Sequence, residues 1–270
     1  MRSTNSREVT SPTNSLMKVF RRALAEGTTK EGWLAVEGPF LVQEGLNAAP
    51  RVMTHSVLVA SGAAEKFSAL LDRLPAEAEL TQVPDRLFES VAQTQSPQGI
   101  AALVELPAHT LEQVVAAANS LLVVACRLQD PGNLGTMMRT ALAFSASAFL
   151  TLQDTVSPFN PKAVRSSAGA IFRLPLVCGL DPKEALPFLS RRVRIVAAER
   201  NSPASLSQAD LTGPIAILVG REASGLPEQI ARYANQLLSI PIRKEVDSVN
   251  AATAASIFLY EAARQRNFKY

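Results

Sequence analysis

Three polar clusters in the C-terminal half each follow an apolar run, and each carries residue types that chemistry could use. The first spans residues 129–141. A strand-like run ends at Cys126, a turn at Asp130-Pro131-Gly132 follows, and Asn133 is expected to cap a helix. Arg139 then stands among Met137, Met138, Thr140 and Ala141. That setting suits a phosphate-binding or catalytic guanidinium, with a surface arginine as the alternative. The second cluster spans 217–227, where Gly220 and Gly225 bracket Glu222 behind a strand-like run. Glycines let a backbone approach a ligand closely; an ordinary strand-to-helix turn with Pro227 in the first helical turn fits equally. The third spans 239–256. A strand ends at Ile240-Pro241, a charged loop follows, and Asp247 or Ser248 is expected to cap a long helix that opens with Asn250 and alanines.

Other chemistries lack their residues. No GxGxxG follows a strand and no GxxxxGK[ST] occurs, so neither a dinucleotide fold nor a P-loop is indicated. No GxSxG elbow is present. His55 and His109 are far apart, and the Cys and His residues have no metal-ligand spacing, so no metal is expected. Cys126 and Cys178 sit in apolar runs and read as buried free thiols, which fits a reducing cytoplasm.

The elements that must position the clusters follow from pattern. The chain has 270 residues, 47% hydrophobic and 19% charged. That composition excludes a disordered chain and suits about two domains. No apolar run approaches the roughly 20 residues of a membrane span, and the polar N-terminus lacks the apolar stretch of a secretory signal. Residues 1–14 read as a flexible arm. Residues 15–107 alternate helices (15–26, 39–46, 62–74, 84–92) with strands (33–36, 56–60, 80–83, 99–106), a small α/β unit. Residues 108–118 read as a linker. From 119 to 270 a second series places strands at 121–127, 148–153, 174–177, 194–199, 215–219 and 237–240, with helices between. Near-continuous Val/Ile/Leu strands argue for a parallel sheet covered on both faces. Ligands of such sheets bind at the carboxyl ends of the strands, where all three clusters fall.

Charge is unevenly spread. Residues 1–30 carry six basic and two acidic groups, 31–118 four and eleven, and 119–270 seventeen and eleven. The net charge is therefore +3, with a basic arm and a basic C-terminal half around an acidic middle. Basic segments suit a polyanionic partner such as nucleic acid, and equally a solvated surface.

Taken together, the clusters resemble the three motifs of the SpoU/TrmH family of RNA ribose 2′-O-methyltransferases, in the SPOUT class. Asn133-Leu134-Gly135 with Arg139-Thr140-Ala141 matches the first motif. Gly220, Glu222 and Gly225-Leu226 match the second, and Ile240-Pro241 with Ser248-Val249-Asn250 the third. Residues 162–170 are also similar to the family, and 33–46 resemble the start of its ribosomal-protein-like substrate-binding domain. The departures are Val249 where Leu is commoner and the charged Asp247 beside Ser248.

The resemblance implies an α/β fold: a C-terminal parallel sheet with a deep trefoil knot, an exception to the rule against knots, and a smaller N-terminal α/β domain. It implies S-adenosyl-L-methionine (AdoMet) as cofactor, with contacts at Gly220, Ile240 and Val249 and with Leu218 and Leu226 as walls. It implies a homodimer whose site is completed across the interface, for which the alanine-rich final helix is suited. Arg139 would activate the ribose hydroxyl, with Asn133, Glu222, Ser248 and Asn250 around it. Because a guanidinium stays protonated, gripping phosphate and stabilising a developing alkoxide is cheaper for Arg139 than acting as a base. The two-domain layout favours structured RNA, 23S-type ribosomal RNA ahead of tRNA. A catalytically silent RNA-binding or ribosome-assembly factor is the competing class.

Overall fold

The computed structural model describes residues 6–116, 119–221, 225–243 and 245–268. They form two compact units. The first runs to Pro107 and includes Phe159–Arg165; the second holds Ala108–Pro158 and the residues from Ser166 onward.

The first unit runs β1 (Ser6–Glu8), α1 (Ser15–Glu26), β2 (Leu34–Glu37), α2 (Pro39–Asn47), β3 (Met53–Ala60), α3 (Ser68–Leu71), β4 (Glu79–Val83), α4 (Asp85–Glu89) and β5 (Ile100–Glu105). Its sheet has the order β1-β4-β3-β5-β2. β1, β4 and β3 are parallel, and β5 is antiparallel to both β3 and β2. α1 buries Met17, Phe20, Ala23 and Leu24, which recur at helical spacing. Asn14 caps it, its Oδ1 accepting from the Leu16 N–H at 2.9 Å. Gly27, at φ +100°, ends it in the left-handed region. A side chain there would collide with the Phe159 carbonyl. That close approach is where 159–165 joins this unit, although those residues were expected within 119–270.

Residues 6–8 were expected in a flexible arm, yet they pair with β4 as an edge strand, and Val9 behind them is buried. Backbone hydrogen bonds make this strand, so the side chains of Ser-Arg-Glu do not announce it. The helices expected over 62–74 and 84–92 shorten to α3 and α4.

The remaining elements are α5 (Leu111–Val115), β6 (Leu121–Ala125), α6 (Pro131–Ala143), β7 (Ala148–Leu152), α7 (Pro161–Ser166), β8 (Leu176–Leu180), α8 (Pro182–Ser190), β9 (Arg194–Ala198), β10 (Ile215–Val219), α9 (Glu228–Ala231), β11 (Gln236–Leu238) and α10 (Ala251–Gln265). The second unit's sheet is parallel throughout, in the order β11-β9-β10-β6-β7-β8. Its strands β6, β7 and β10 are buried along their whole length, as both-face coverage requires. The expected linker is part of this unit: Thr110 opens α5 with a capping box, and Leu111, Val114 and Val115 enter the core.

α10 lies against α6, and the Ser256 hydroxyl donates to Thr140 Oγ1 at 3.2 Å. Ala251, Ala252, Ala255, Ala262 and Ala263 are buried within their own chain. The alanine face therefore packs this fold, and only the opposite face of α10 is left for a partner copy. Its exposed side carries Thr253, Tyr260 and Arg264. Arg266 then pins the helix end, donating to the carbonyls of Asn119 at 2.8 Å, Leu211 at 3.2 Å and Gly213. Burial lowers the pKa of its guanidinium. Cys126 is buried, and burial pushes its thiol up to about 11. Cys178, expected to be buried, is exposed because β8 is an edge strand with little cover.

Among the described residues no helix is long and apolar enough to cross a membrane, and no group of three or more His, Cys, Asp or Glu could hold a metal ion.

Candidate active site

A cavity of about 250 Å³ opens at the carboxyl ends of β9, β10 and β11, where ligands of parallel sheets bind. Ala198 and Glu199 leave β9 into it, Val219 and Gly220 leave β10, and Leu238 and Ile240 leave β11. The first two turns of α10 close it with Ala251, Ala254 and Phe258. Gly220 has to be small. A Cβ there would stand 2.8 Å from the Gly225 carbonyl oxygen and 2.9 Å from Leu226 Cδ2. Gly225, at φ +61°, turns the chain back, and its N–H donates to the Arg221 carbonyl at 2.9 Å.

The polar wall is Glu199. Its N–H donates to the Leu238 carbonyl at 3.0 Å, and its carboxylate would lie 3.4 Å from a Cβ on Gly225. Beside it, Arg200 and Asp247 form an exposed ion pair at 3.0 Å that ties the end of β9 to the loop carrying Ser248. A pair this exposed contributes about 0–1 kcal/mol.

A second, open cavity is lined by Asp130, Asn133, Ser248, Val249 and Asn250. It lies where the amino ends of α6 and α10 meet. Asp130, not Asn133, caps α6: its Oδ1 accepts from the Asn133 N–H at 2.8 Å, and Pro131 fills the first turn. The Asn133 side chain is thereby left to accept from Asn250 Nδ2 at 3.0 Å. Asn250, not Asp247 or Ser248, caps α10, its Oδ1 accepting from Ala252 at 2.8 Å and Thr253 at 3.3 Å. Residues 245–249 therefore stay outside the helix, and Ser248 and Val249 line both cavities at once. Two adjacent helix amino ends favour a negatively charged ligand.

The structure thus brings together Gly220, Ile240 and Val249 on the first cavity and Asn133, Ser248 and Asn250 on the second. Leu218 and Leu226, expected as walls, are packed in the hydrophobic core instead. Their neighbours Val219 and Gly225 face the cavity. Arg139 lines neither cavity. It is exposed on α6 with no hydrogen bond or ion pair among the described residues, so its expected shielding by Met137 and Met138 fails: those two point into the core. Glu222 lies outside the described residues. Glu199 is the residue that the motifs missed. The available signal was its place at the end of β9, equivalent to that of Gly220 at the end of β10.

An all-parallel sheet with a ligand cavity at three strand ends and a polar cleft sharing one wall is an arrangement that can hold two ligands side by side. Known proteins agree with it. The SpoU rRNA methylase family matches residues 120–260, and the MRM3-like substrate binding domain matches residues 26–102. The chain belongs to the SpoU rRNA methylase family. It is 31% identical over 207 residues to the 23S rRNA (uridine(2479)-2′-O)-methyltransferase of Streptomyces viridochromogenes, covering 74% of this chain and 72% of that protein. Among solved structures it resembles an AdoMet-bound rRNA methyltransferase from Sinorhizobium meliloti, with a TM-score of 0.81, 28% identity and 96% and 98% of the two chains covered. It also resembles the SpoU methyltransferase AviRb from S. viridochromogenes in complex with AdoMet, with a TM-score of 0.84, 26% identity and 94% and 98% covered.

Proposed function

We propose that this protein transfers a methyl group from AdoMet to a ribose 2′-hydroxyl in structured RNA, with 23S-type ribosomal RNA as the substrate. The observation that carries the reading is the shared wall. Ser248 and Val249 stand between a deeper, partly apolar cavity that suits a nucleoside-bearing ligand and a more open polar cleft that suits a nucleic-acid backbone.

AdoMet fits the residues present. The apolar surfaces of Leu238, Ile240 and Ala254 suit a base, Glu199 can accept from hydroxyls or an amine, and the cradle at Gly220 would be filled by a side chain. When bound, AdoMet supplies a methyl group already activated on a sulfonium. The chain then has to position the hydroxyl and help it lose a proton. In this reading Asn133 and Asn250, locked together, hold the ribose against Ser248. The amino ends of α6 and α10 take the adjacent phosphate, and no metal is needed. In this reading the chain carries the trefoil knot that the family resemblance implies and works in the cytoplasm.

Arg139 serves the site of a second copy in a homodimer. It stands on the outer face of α6 with Thr136 and Ala143, and that helix runs to the half-buried Phe144, whose ring meets the exposed Tyr260, itself beside the exposed Phe268. Exposed aromatics and an unpartnered arginine suit an interface.

The reading is tested by AdoMet calorimetry and by methylation of 23S rRNA and tRNA transcripts, with the modified nucleotide located by resistance to alkali. AdoMet binding and a 2′-O-methyl on ribosomal RNA are expected. Methylation of tRNA alone would refute the substrate, and RNA binding without AdoMet binding would favour the silent factor. Mixing inactive Arg139→Ala and Ser248→Ala dimers should restore part of the activity if Arg139 acts across the interface. No recovery after proven subunit exchange would exclude that role.

A further inference from the structure

Another cavity of about 250 Å³ lies wholly within the first unit. Its floor is Glu37 and Gly38, and around it stand Phe40, Ser96, Gln98 and Arg165. None of these belongs to the three motifs of the active site.

The floor is rigid. Glu37 is only 9% exposed, and its carboxylate accepts from the Gln93 N–H at 2.8 Å, the Thr94 N–H at 3.4 Å and the Thr94 hydroxyl. The loop from Gln93 to Gln98 is therefore anchored at its start. Gly38, at φ +97°, turns the chain from β2 into α2, and its N–H donates to the Ile100 carbonyl at 2.9 Å. The groups above the floor are uncommitted. Phe40 is 56% exposed, while Leu41 and Val42 beside it supply the core contacts of α2. Ser96, Gln98 and Arg165 are exposed and make no hydrogen bond or ion pair among the described residues.

An open aromatic face, a hydroxyl, a carboxamide and a guanidinium around one cavity are the groups that recognise an unpaired nucleotide: the base stacks, its edge takes hydrogen bonds, and the cation meets phosphate. Charge supports the same ligand. Residues 31–118 carry four basic and eleven acidic groups, so that stretch has few cations to offer RNA. The segment 159–165, which belongs to this unit, adds Lys162 and Arg165.

We infer that this cavity seats one unstacked nucleotide of the RNA substrate, with the base on Phe40, its edge on Ser96 and Gln98, and a phosphate on Arg165. The inference rests on the reading that the substrate is RNA. It makes the first unit a reader of single-stranded RNA rather than a purely electrostatic support.

The test is fluorescence anisotropy of the full-length protein with a labelled 23S rRNA transcript, alongside AdoMet calorimetry on the same preparations. Phe40→Ala should weaken RNA binding roughly five- to 150-fold, the range of one lost base stack. Phe40→Tyr should restore it and Phe40→Leu should not. Arg165→Ala should weaken binding and lower the slope of log affinity against log salt by about one. AdoMet affinity should stay constant throughout. Phe40→Ala or Arg165→Ala binding RNA within twofold of the wild type would overturn the inference. A wild type that binds AdoMet but no RNA would instead overturn the substrate reading, and this inference with it. Phe40 is largely exposed, so the Ala variant should fold. Should its melting curve show otherwise, the salt slope of Arg165→Ala decides alone.

Discussion

Substituting Gly220 by alanine tests the cofactor cavity, provided that its effect on affinity is separated from its effect on stability. The new Cβ would lie 2.8 Å from the Gly225 carbonyl oxygen, 2.9 Å from its carbon and 2.9 Å from Leu226 Cδ2. The first two contacts are to backbone, so no side chain can swing away; the turn carrying Gly225 must move. Overpacking of this kind costs about 1–3 kcal/mol. That turn is also the rim of the cavity, so the displacement falls on ligand affinity. One to three kcal/mol corresponds to roughly a five- to 150-fold rise in the AdoMet Kd. Gly213→Ala is the complementary control. A Cβ there meets nothing within 4 Å, but φ is +69°, and a side chain in the left-handed region costs about 1–2 kcal/mol. It should lower Tm by about 2–4 °C with AdoMet affinity unchanged. Calorimetric titration and thermal melts of both variants decide the matter. Gly220→Ala binding AdoMet within twofold of the wild type would refute the assignment of that cavity, and equal effects of the two variants would refute the separation.

Asn250→Asp keeps the acceptor that caps α10 but loses the donor to Asn133. Tm should stay within a few degrees of the wild type while methylation of a 23S rRNA transcript is largely lost; Asn250→Ala should also lose about 1 kcal/mol of stability with the cap. Arg266→Met removes three donations to carbonyls, and urea unfolding should report a loss of about 2–3 kcal/mol, since unpaired buried acceptors are costly. The Glu261 carboxylate is held below its usual 4.5, first by the hydrogen bond from Arg264. A depressed carboxylate contributes stability above its unfolded pKa and loses it as pH falls through the folded value. Urea midpoints should therefore decline below about pH 4.5 less steeply in Glu261→Gln than in the wild type.

The parallel sheet was legible in the sequence because β6 and β10 are apolar at every position and β7 at all but Thr151, and only a strand covered on both faces needs that. The convergence of Asn133, Ser248 and Asn250 was legible through motif resemblance. What decided their roles was not. Asp130 and Asn133 are both good caps by type, and so are Asp247, Ser248 and Asn250. The choice is made by the hydrogen bond between Asn133 and Asn250, a contact across 117 residues. Leu218 and Val219 are both apolar residues of one strand, so composition could not say which faces the ligand; alternation along β10 sends Leu218 to the core and Val219 to the cavity. Glu199 read only as the last residue of the strand expected at 194–199, and its role showed once β9 and β10 were placed side by side. The burial of α10's alanines was hidden for a related reason, because small residues suit packing within a chain and between chains alike.

Arg139 ties these observations together. The cleft between the amino ends of α6 and α10 holds partial positive charge from the helix dipoles, yet the side chains that line it are Asp130, Ser248 and two asparagines beside Val249. Among the described residues no full cation lines it. A hydroxyl losing its proton next to an RNA phosphate places two negative charges close together, and in a polar cleft dipoles alone stabilise that arrangement less than a guanidinium does. Within one chain Arg139 faces away on the exposed side of α6. The same helix that supplies Asn133 to its own cleft therefore presents Arg139 outward, where a second α6 brought alongside could return the missing charge. On the proposed homodimer, the outward Arg139 is the residue that would supply this charge, and loss of activity in Arg139→Ala that Ser248→Ala subunits restore is the outcome that reading requires.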